Sequence, residues 1–360
     1  MSNSKNIHLV IFGIGKVGST LINQINEVRN SIWESQRINL TIPIITNSRI
    51  AFFDHEGISN SWKTDFEQFS VPYKIEDIFR FVKSKEYDNL IAIDVTSSTD
   101  FVQYYIPLVQ NGFHIVTANK IANTLHYEFY ESLRQVLKNN NKSFLYETNV
   151  GAGLPIIETI QKFCDSGEKI NRIRGVFSGS LSYIFNRFSE EQVSFSKSLN
   201  EASEFGLTEP DPREDLSGND VARKLLILAR ELGIKKEIQD VNVENLIPHK
   251  LNGKTTLNQF KSKIHELNKS FEKRKSKLSD DKVLRYIGEL DLNKNSLEVK
   301  LVEEQKESPV GQLKGADSIF EIYSESYKDS PLVIQGAGAG KNVTARGLLS
   351  DVIKVSKQLN

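Results

Sequence analysis

The stretch IHLVIFGIGKVG, residues 7–18, decides how the whole chain is read. Its first half is an apolar run of strand length that ends in glycines. The segment after it sets Leu21, Ile25, Val28 and Ile32 at i, i+4, i+7 and i+11, one stripe of an amphipathic helix. Gly13, Gly15 and Gly18 thus occupy the G-x-G-x-x-G spacing between a strand and a helix, the context that pattern requires. One glycine makes the tight turn and another lets the backbone approach a pyrophosphate. The third lets helix pack on strand, with the phosphate charge at the helix N-terminus. Gly13, Ile14, Gly15, Val17 and Gly18 are therefore candidate dinucleotide contacts. The plain alternative is a βα turn that binds nothing.

Outward from this unit, LTIPIIT (40–46), LIAIDVTSS (90–98), FHIVTANK (113–120) and SFLYETNV (143–150) are further strand candidates, each separated by a helical segment. Strands alternating with helices argue for an α/β domain with a doubly wound parallel sheet of Rossmann type over residues 1–150. From Gly151 to about Gly233 helical patterns dominate, and a charged helix is predicted over residues 256–277. VLRYIGELD, SLEVKLVEE and IFEIYSES then read as an antiparallel meander. The tail is a glycine-rich loop opening a final helix. No internal repeat or low-complexity linker is present.

At 360 residues, the chain is long enough for two domains at about 150 residues each. Lys+Arg and Asp+Glu both number 46, so no global field draws it onto nucleic acid or an anionic membrane. The one basic segment, KSKIHELNKSFEKRKSKL (261–278), interleaves acids at helical spacing and reads as a solvated helix face. A single cysteine, Cys164, leaves no intrachain disulfide and no multi-cysteine zinc site. No stretch approaches the ~20 apolar residues of a membrane span, and MSNSKNIHLVIF lacks the charge and apolar pattern of a signal peptide. The expectation is a soluble protein of the cytoplasm.

The end of the second strand bears on cofactor choice. An NAD site places Asp or Glu there to hold the ribose 2′-hydroxyl; this chain has Asn47-Ser48-Arg49, no acid and a guanidinium available for a 2′-phosphate. That favours NADP(H), with NAD(H) possible; otherwise Arg49 is an ordinary surface residue. The second glycine loop, GAGAGK (336–341), is not a P-loop: the first glycine of that motif would fall on Gln335, and Lys341 is followed by Asn342. It is either a close backbone approach ahead of a helix or a tight turn.

Charge concentrates in GLTEPDPREDLSGNDVARK (206–224). Pro210 and Pro212 keep the preceding residues out of helix. A helix is predicted from about Asn219, with Val221, Leu225, Leu228 and Leu232 as its buried stripe and Asp220 and Lys224 as i, i+4 neighbours beside it. By itself such a pair is a helix contact stabilising by ~0.2–0.5 kcal/mol. Functionally, a proline-bounded loop and a helix face would build a pocket for a small zwitterion: carboxylates for its ammonium, and a lysine to protonate an oxygen that becomes negative as hydride arrives.

Six segments, GIGKVG, VTANK, ETNVGAGLP, GVFSGSLSYIFN, GLTEPDPREDLSGNDVARK and GAGAGKNVTARG, occur in this order. Together they resemble the homoserine dehydrogenases, above all the dehydrogenase portion of bifunctional aspartokinase–homoserine dehydrogenases and the short yeast-type enzymes. The resemblance runs over nearly the whole chain, and TEPDPREDLSG is far more specific than the glycine loop. It implies NAD(P)H-dependent reduction of L-aspartate 4-semialdehyde to L-homoserine, on the route to threonine and methionine. It also implies a homodimer whose residues 151–340 form a dimerisation and catalytic α+β part with a mixed sheet, while helix 341–360 returns to the nucleotide domain.

The same resemblance assigns residues. Glu209 and Asp220 would bind substrate with Asp215 close by, Gly206 would lie where the loop approaches cofactor and substrate, and Lys224 would be the proton donor. Lys120 in VTANK would be a second lysine near the nicotinamide and the substrate, in contact with the cofactor as well as catalytic. Thr96, Ser97 and Gly340 would contact cofactor. ETNVGAGLP would hold a monovalent cation, sodium, through the Glu147 carboxylate and the carbonyls of Val150, Ala152 and Leu154, an all-oxygen set that suits a hard cation. The chain departs from the family at Ile121, often a lysine, and at Leu207, commonly a tyrosine. No kinase or regulatory domain is read in the chain, so threonine feedback through such a domain is not expected within it.

Two rivals remain. Aspartate-semialdehyde dehydrogenase chemistry needs a thiolate, whereas Cys164 closes an apolar helical stripe and is expected to be buried packing. A catalytically silent NADP-binding regulator is disfavoured by the presence of Lys120, Glu209, Asp220 and Lys224.

Overall fold

The computed structural model describes residues 4–253 and 255–359. The chain divides into two compact units, Met1–Gly153 with Gly340–Asn360, and Leu154–Ala339.

The first unit is built on seven strands: β1 (Lys5–Phe12), β2 (Ile38–Thr46), β3 (Ile50–Phe53), β4 (Val71–Pro72), β5 (Leu90–Asp94), β6 (His114–Thr117) and β7 (Phe144–Leu145). Their order is β4-β3-β2-β1-β5-β6-β7. The run from β2 to β7 is parallel, and β3 and β4 add an antiparallel edge. β1 is covered on both faces, which is why its sequence is a continuous apolar run rather than an alternation. Its period of two divides it between two cores. Ile7, Leu9 and Ile11 join Leu21 and Ile25 of the Lys16–Gln36 helix and Leu348 and Val352 of the Lys341–Gln358 helix. Val10 and Phe12 face Ile78, Leu108 and Phe113. Strand order reverses between β1 and β5, the switch point where doubly wound sheets bind their ligands.

One predicted strand is shorter than expected. Of residues 143–150 only Phe144–Leu145 pairs in the sheet, and Thr148–Gly151 is a helical turn. The Thr148 hydroxyl and the Asn149 amide both donate to the Thr117 carbonyl (3.1 and 3.0 Å), drawing the chain off the strand path.

The second unit holds β8 (Ile170–Val176), β9 (Asn242–Val243), β10 (Lys282–Asp291), β11 (Ser296–Gln305), β12 (Ser318–Ser324) and β13 (Leu332–Gly336), in the order β13-β12-β8-β10-β11-β9. The sheet is mixed: β9 joins β11 in parallel and the other pairs are antiparallel. This corrects the meander. β10 and β11 form a hairpin, but β12 pairs with β13 and β8. β8 lies in the region expected to be mainly helical. Its polar residues are matched across the sheet, Arg172 by Glu289 and Arg174 by Glu304 and Glu321.

The charged segment is also not one helix. It runs as Leu257–Lys263, a 3-10 turn Ile264–Leu267 and Asn268–Lys275. Asn268 turns its side-chain carbonyl to the Ser196 N–H (2.8 Å) at the second junction, while Phe260, Ile264, Leu267 and Phe271 stay buried through all three pieces. No described helix is long and apolar enough to cross a membrane.

Candidate active site

The glycine turn of the first unit divides its three tasks as steric rules require. Gly13 has φ +99°, a conformation that excludes most side chains. Gly18 packs the helix onto the turn: a Cβ there would stand 1.9 Å from the Gly13 carbonyl. Gly15 has nothing within 4 Å of where its Cβ would be, and it caps the Lys16–Gln36 helix without a side-chain acceptor. Open space in front of uncapped helix N–H groups suits a phosphate. Ile14 and Val17 pack against the core beneath. Thr96 is at the same turn, its methyl 3.1 Å from the missing Cβ of Gly13, and Ser97 beside it is exposed.

Past β2, Asn47 folds the chain into a turn by accepting the N–H groups of Arg49 (2.8 Å) and Ile50 (2.9 Å). Arg49 is exposed, and among the described residues its guanidinium pairs with no carboxylate. Lys120 follows β6 as the N-cap of the short Ile121–Thr124 helix. Sequence reasoning missed the group behind these loops. Asp94, 1% exposed, accepts from Thr96 N–H, Tyr105 and Asn119. Burial raises its carboxyl above the usual range, and those hydrogen bonds oppose the rise. Gly340 has φ +118° and caps the Lys341–Gln358 helix.

In the second unit the acid-rich stretch sorts into three kinds of carboxylate. Asp211 is held in a fork by Arg213, which keeps its pKa low, and Glu214 is exposed. Asp215 is pinned on both oxygens, one accepting the Ser180 hydroxyl (2.6 Å) and the other the Glu209 N–H (2.9 Å). Burial raises its carboxyl, the two donors oppose this, and the charge of Asp220 adds to the rise. Glu209 itself is exposed on the loop so fixed. Gly206, φ +68°, closes the Phe195–Glu204 helix: its N–H returns to Ser203 and that of Leu207 to Ala202.

Asp220 and Lys224 form the pair expected on the Asn219–Glu231 helix, Nζ to Oδ2 2.9 Å. The environment is not the flank expected. Helix Ile156–Asp165 packs on one side and β10 and β11 on the other, so the helix is buried nearly all round and Lys224 is 6% exposed. Its ammonium also donates to the Phe177 carbonyl at 2.7 Å. Phe177 directly follows β8, and the next residue, Ser178, caps the Gly179–Glu190 helix by accepting the Leu181 N–H. The Asn219–Glu231 helix is capped by Gly218, φ +75°, which leaves room for the Tyr286 hydroxyl, 2.2 Å from where a Cβ would be. The GVFSGS segment thus supplies Lys224 and Asp215 with partners. Ser180 and the Phe177 carbonyl had no signal in the sequence beyond that motif.

For the expected cation, Glu147 precedes the Thr148–Gly151 turn, at whose end lie the carbonyls of Val150 and Ala152. Ala152 has φ +54°, and its carbonyl packs so closely on the Lys341–Gln358 helix that a Cβ at position 347 would stand 2.6 Å away. Leu154 opens the second unit, and its carbonyl accepts the Ile156 N–H at 2.9 Å. Among the described residues no cluster of three His, Cys, Asp or Glu exists to hold a metal. The donors in this stretch are all oxygen, the chemistry a hard cation takes.

Cys164 is exposed, not buried, because the Ile156–Asp165 helix emerges into solvent in its last turn. Partial burial, Glu231 and Asp165 raise its thiol pKa, the opposite of an activated nucleophile.

The homoserine dehydrogenase family model matches residues 155–353, and its NAD-binding-domain model matches residues 13–147. A bifunctional aspartokinase/homoserine dehydrogenase of Buchnera aphidicola is 39% identical over 98% of this chain, which spans 43% of that relative's length. A crystal structure of a protein of unknown function from Candida auris superposes with TM-score 0.90 at 32% identity, covering 99% of both chains. A hyperthermophilic archaeal homoserine dehydrogenase in complex with NADPH shares the fold, with TM-score 0.74 at 21% identity and 99% of both chains covered. With its glycine turn and its Asp220–Lys224 pair lying within these matched segments, the chain belongs to the homoserine dehydrogenase family of NAD(P)-dependent oxidoreductases.

Proposed function

We propose that the protein reduces L-aspartate 4-semialdehyde to L-homoserine with NADPH, the reaction being reversible and serving threonine and methionine synthesis. The observation that carries this reading is the buried Lys224 ammonium, oriented by Asp220 and the Phe177 carbonyl. Bound NADPH would supply hydride to the aldehyde carbon, and Lys224 gives the resulting alkoxide its proton. Solvent then reprotonates the lysine. Glu209 and Asp220 hold the substrate ammonium, Asp215 sets the Glu209 loop, Gly206 shapes its approach, and Lys120 stabilises developing charge.

Gly13, Ile14, Gly15, Val17, Gly18, Thr96, Ser97 and Gly340 are assigned to the cofactor. Arg49 is assigned to the 2′-phosphate, a role supported by its exposed, unpaired guanidinium. The archaeal homoserine dehydrogenase of like fold binds NADPH. Glu147, Val150, Ala152 and Leu154 would hold a sodium ion, whose chemistry is to fix the backbone rather than to take part in the reaction. A cytoplasmic homodimer completes the reading. The test is the reverse reaction. Purified protein given L-homoserine and NADP+ should generate NADPH absorbance, and absence of any signal from protein that binds NADP+ overturns the reading.

A further inference from the structure

At the carboxyl end of β5, Asp94 is 1% exposed, yet among the described residues it pairs with no lysine or arginine. Its charge is met by donors alone. Thr96 N–H reaches Oδ1 at 2.8 Å, and the Tyr105 hydroxyl (2.7 Å) and Asn119 amide (3.0 Å) share Oδ2. The Thr117 hydroxyl lies 2.8 Å from that of Tyr105 and accepts the Asn119 N–H at 2.9 Å. Asn119 then extends the network in two directions. Its amide donates to the Ser98 carbonyl at 3.0 Å, and its own carbonyl accepts the Ile121 N–H at 3.1 Å, on the far side of Lys120.

The turn at 96–98, after β5, and the loop at 118–121, after β6, are therefore one hydrogen-bonded piece centred on a single carboxylate. For the core alone this is a poor choice. A buried carboxyl without a cation forfeits hydration that an apolar residue would never have had. What a fully satisfied polar network supplies is a unique arrangement of the backbone around it. It stands at the carboxyl ends of β5 and β6, beside the switch point of the sheet.

We propose that Asp94 is a positioning residue: it latches the 96–98 turn to Asn119 and so fixes the backbone that carries Thr96, Ser97 and Lys120. The inference rests on the assignment of those three to the cofactor and the reacting centre. Asp94 touches neither, and acts through the loops it ties.

The test uses the whole chain. Asp94→Asn and Asn119→Asp should each weaken NADPH binding at least fivefold by nicotinamide fluorescence titration. Each should also lower kcat about tenfold at saturating substrates, well below the unfolding temperature. The variant carrying both exchanges restores a donor facing a charged acceptor across the same gap but leaves the Ser98 carbonyl without its donor, and should recover part of both losses. Tyr105→Phe removes one donor and keeps the carboxylate, and serves if the others do not fold; a two- to threefold weakening is expected there. NADPH affinity and kcat within twofold of wild type in Asp94→Asn, or in Tyr105→Phe should the former not fold, overturn the latch. Fluorescence titration needs no substrate. Wild-type protein that binds NADPH but turns over no semialdehyde would therefore sink the proposed reaction while the latch is still judged on affinity.

Discussion

Replacing Lys224 with methionine separates what the ammonium does for the fold from what it does for the reaction. Methionine fills nearly the same buried volume. The Phe177 carbonyl loses its 2.7 Å donor, and an unsatisfied buried acceptor costs about 1–3 kcal/mol. The Asp220 pair adds little, because that side chain is 46% exposed and ion pairs open to solvent contribute ~1 kcal/mol or less. Against these losses, a charge that is only 6% exposed no longer needs to be desolvated, a relief on the order of several kcal/mol. The opposing terms nearly cancel, so urea unfolding of Lys224→Met should shift by less than about 2 kcal/mol in either direction. Turnover should fall ~10²–10⁴-fold, the usual weight of a positioned proton donor, while NADPH affinity holds. The assay is kcat at saturating semialdehyde alongside a denaturation curve, with Cys164→Ser expected to behave as wild type in both. A folded Lys224→Met with near-normal kcat refutes the donor assignment, and a loss of activity that merely follows a loss of stability refutes the separation.

Two glycines of the turn should respond differently. Gly15→Ala faces open space and should keep stability within about 1 kcal/mol yet weaken cofactor binding, whereas Gly18→Ala must displace the Gly13 carbonyl and should be unstable; thermal melts with and without NADPH separate the two. Arg49→Ala, at an exposed turn, should leave stability within about 0.5 kcal/mol and raise KM for NADPH without changing that for NADH; equal effects on both would dismiss Arg49 as the 2′-phosphate reader. Burial, with Lys142 nearby, lowers the His114 pKa to about 4, and its Nδ1 accepts the Ser143 N–H at 2.9 Å. The unfolded chain takes up a proton that the folded chain refuses. Stability is therefore full above the unfolded value and falls as pH drops from about 6.5 to about 4, by about 3 kcal/mol in all. His114→Asn should flatten that part of the pH–stability curve.

Constraints that act over a few residues were legible in the sequence. The glycine turn is one, since φ at Gly13 and the clash at Gly18 are local. The alternation of buried strands with amphipathic helices is another, and it gave the parallel sheet. The Asp220–Lys224 pair was legible as a spacing, but not its burial, which depends on β10 and β11 far along the chain. β8 was hidden for the same reason. Arg172 and Arg174 look like solvent residues until Glu289, Glu321 and Glu304 arrive on the two neighbouring strands and on β11 beyond. Asp94 and Ser180 are extreme cases, because a hydrogen-bonded carboxylate and a helical serine carry no periodic signal. Their partners, Asn119 and Asp215, stand 25 and 35 residues away. Six shared segments recovered part of what local rules lost, by marking GVFSGS and VTANK without explaining them.

The forward reaction tests the central claim most directly. Purified protein is given L-aspartate 4-semialdehyde with NADPH and, separately, with NADH, and the product is identified by chromatography against authentic L-homoserine. Stoichiometric homoserine, formed faster with NADPH, is the expected result. Folded protein that binds NADPH and yields no homoserine with either cofactor would contradict the account.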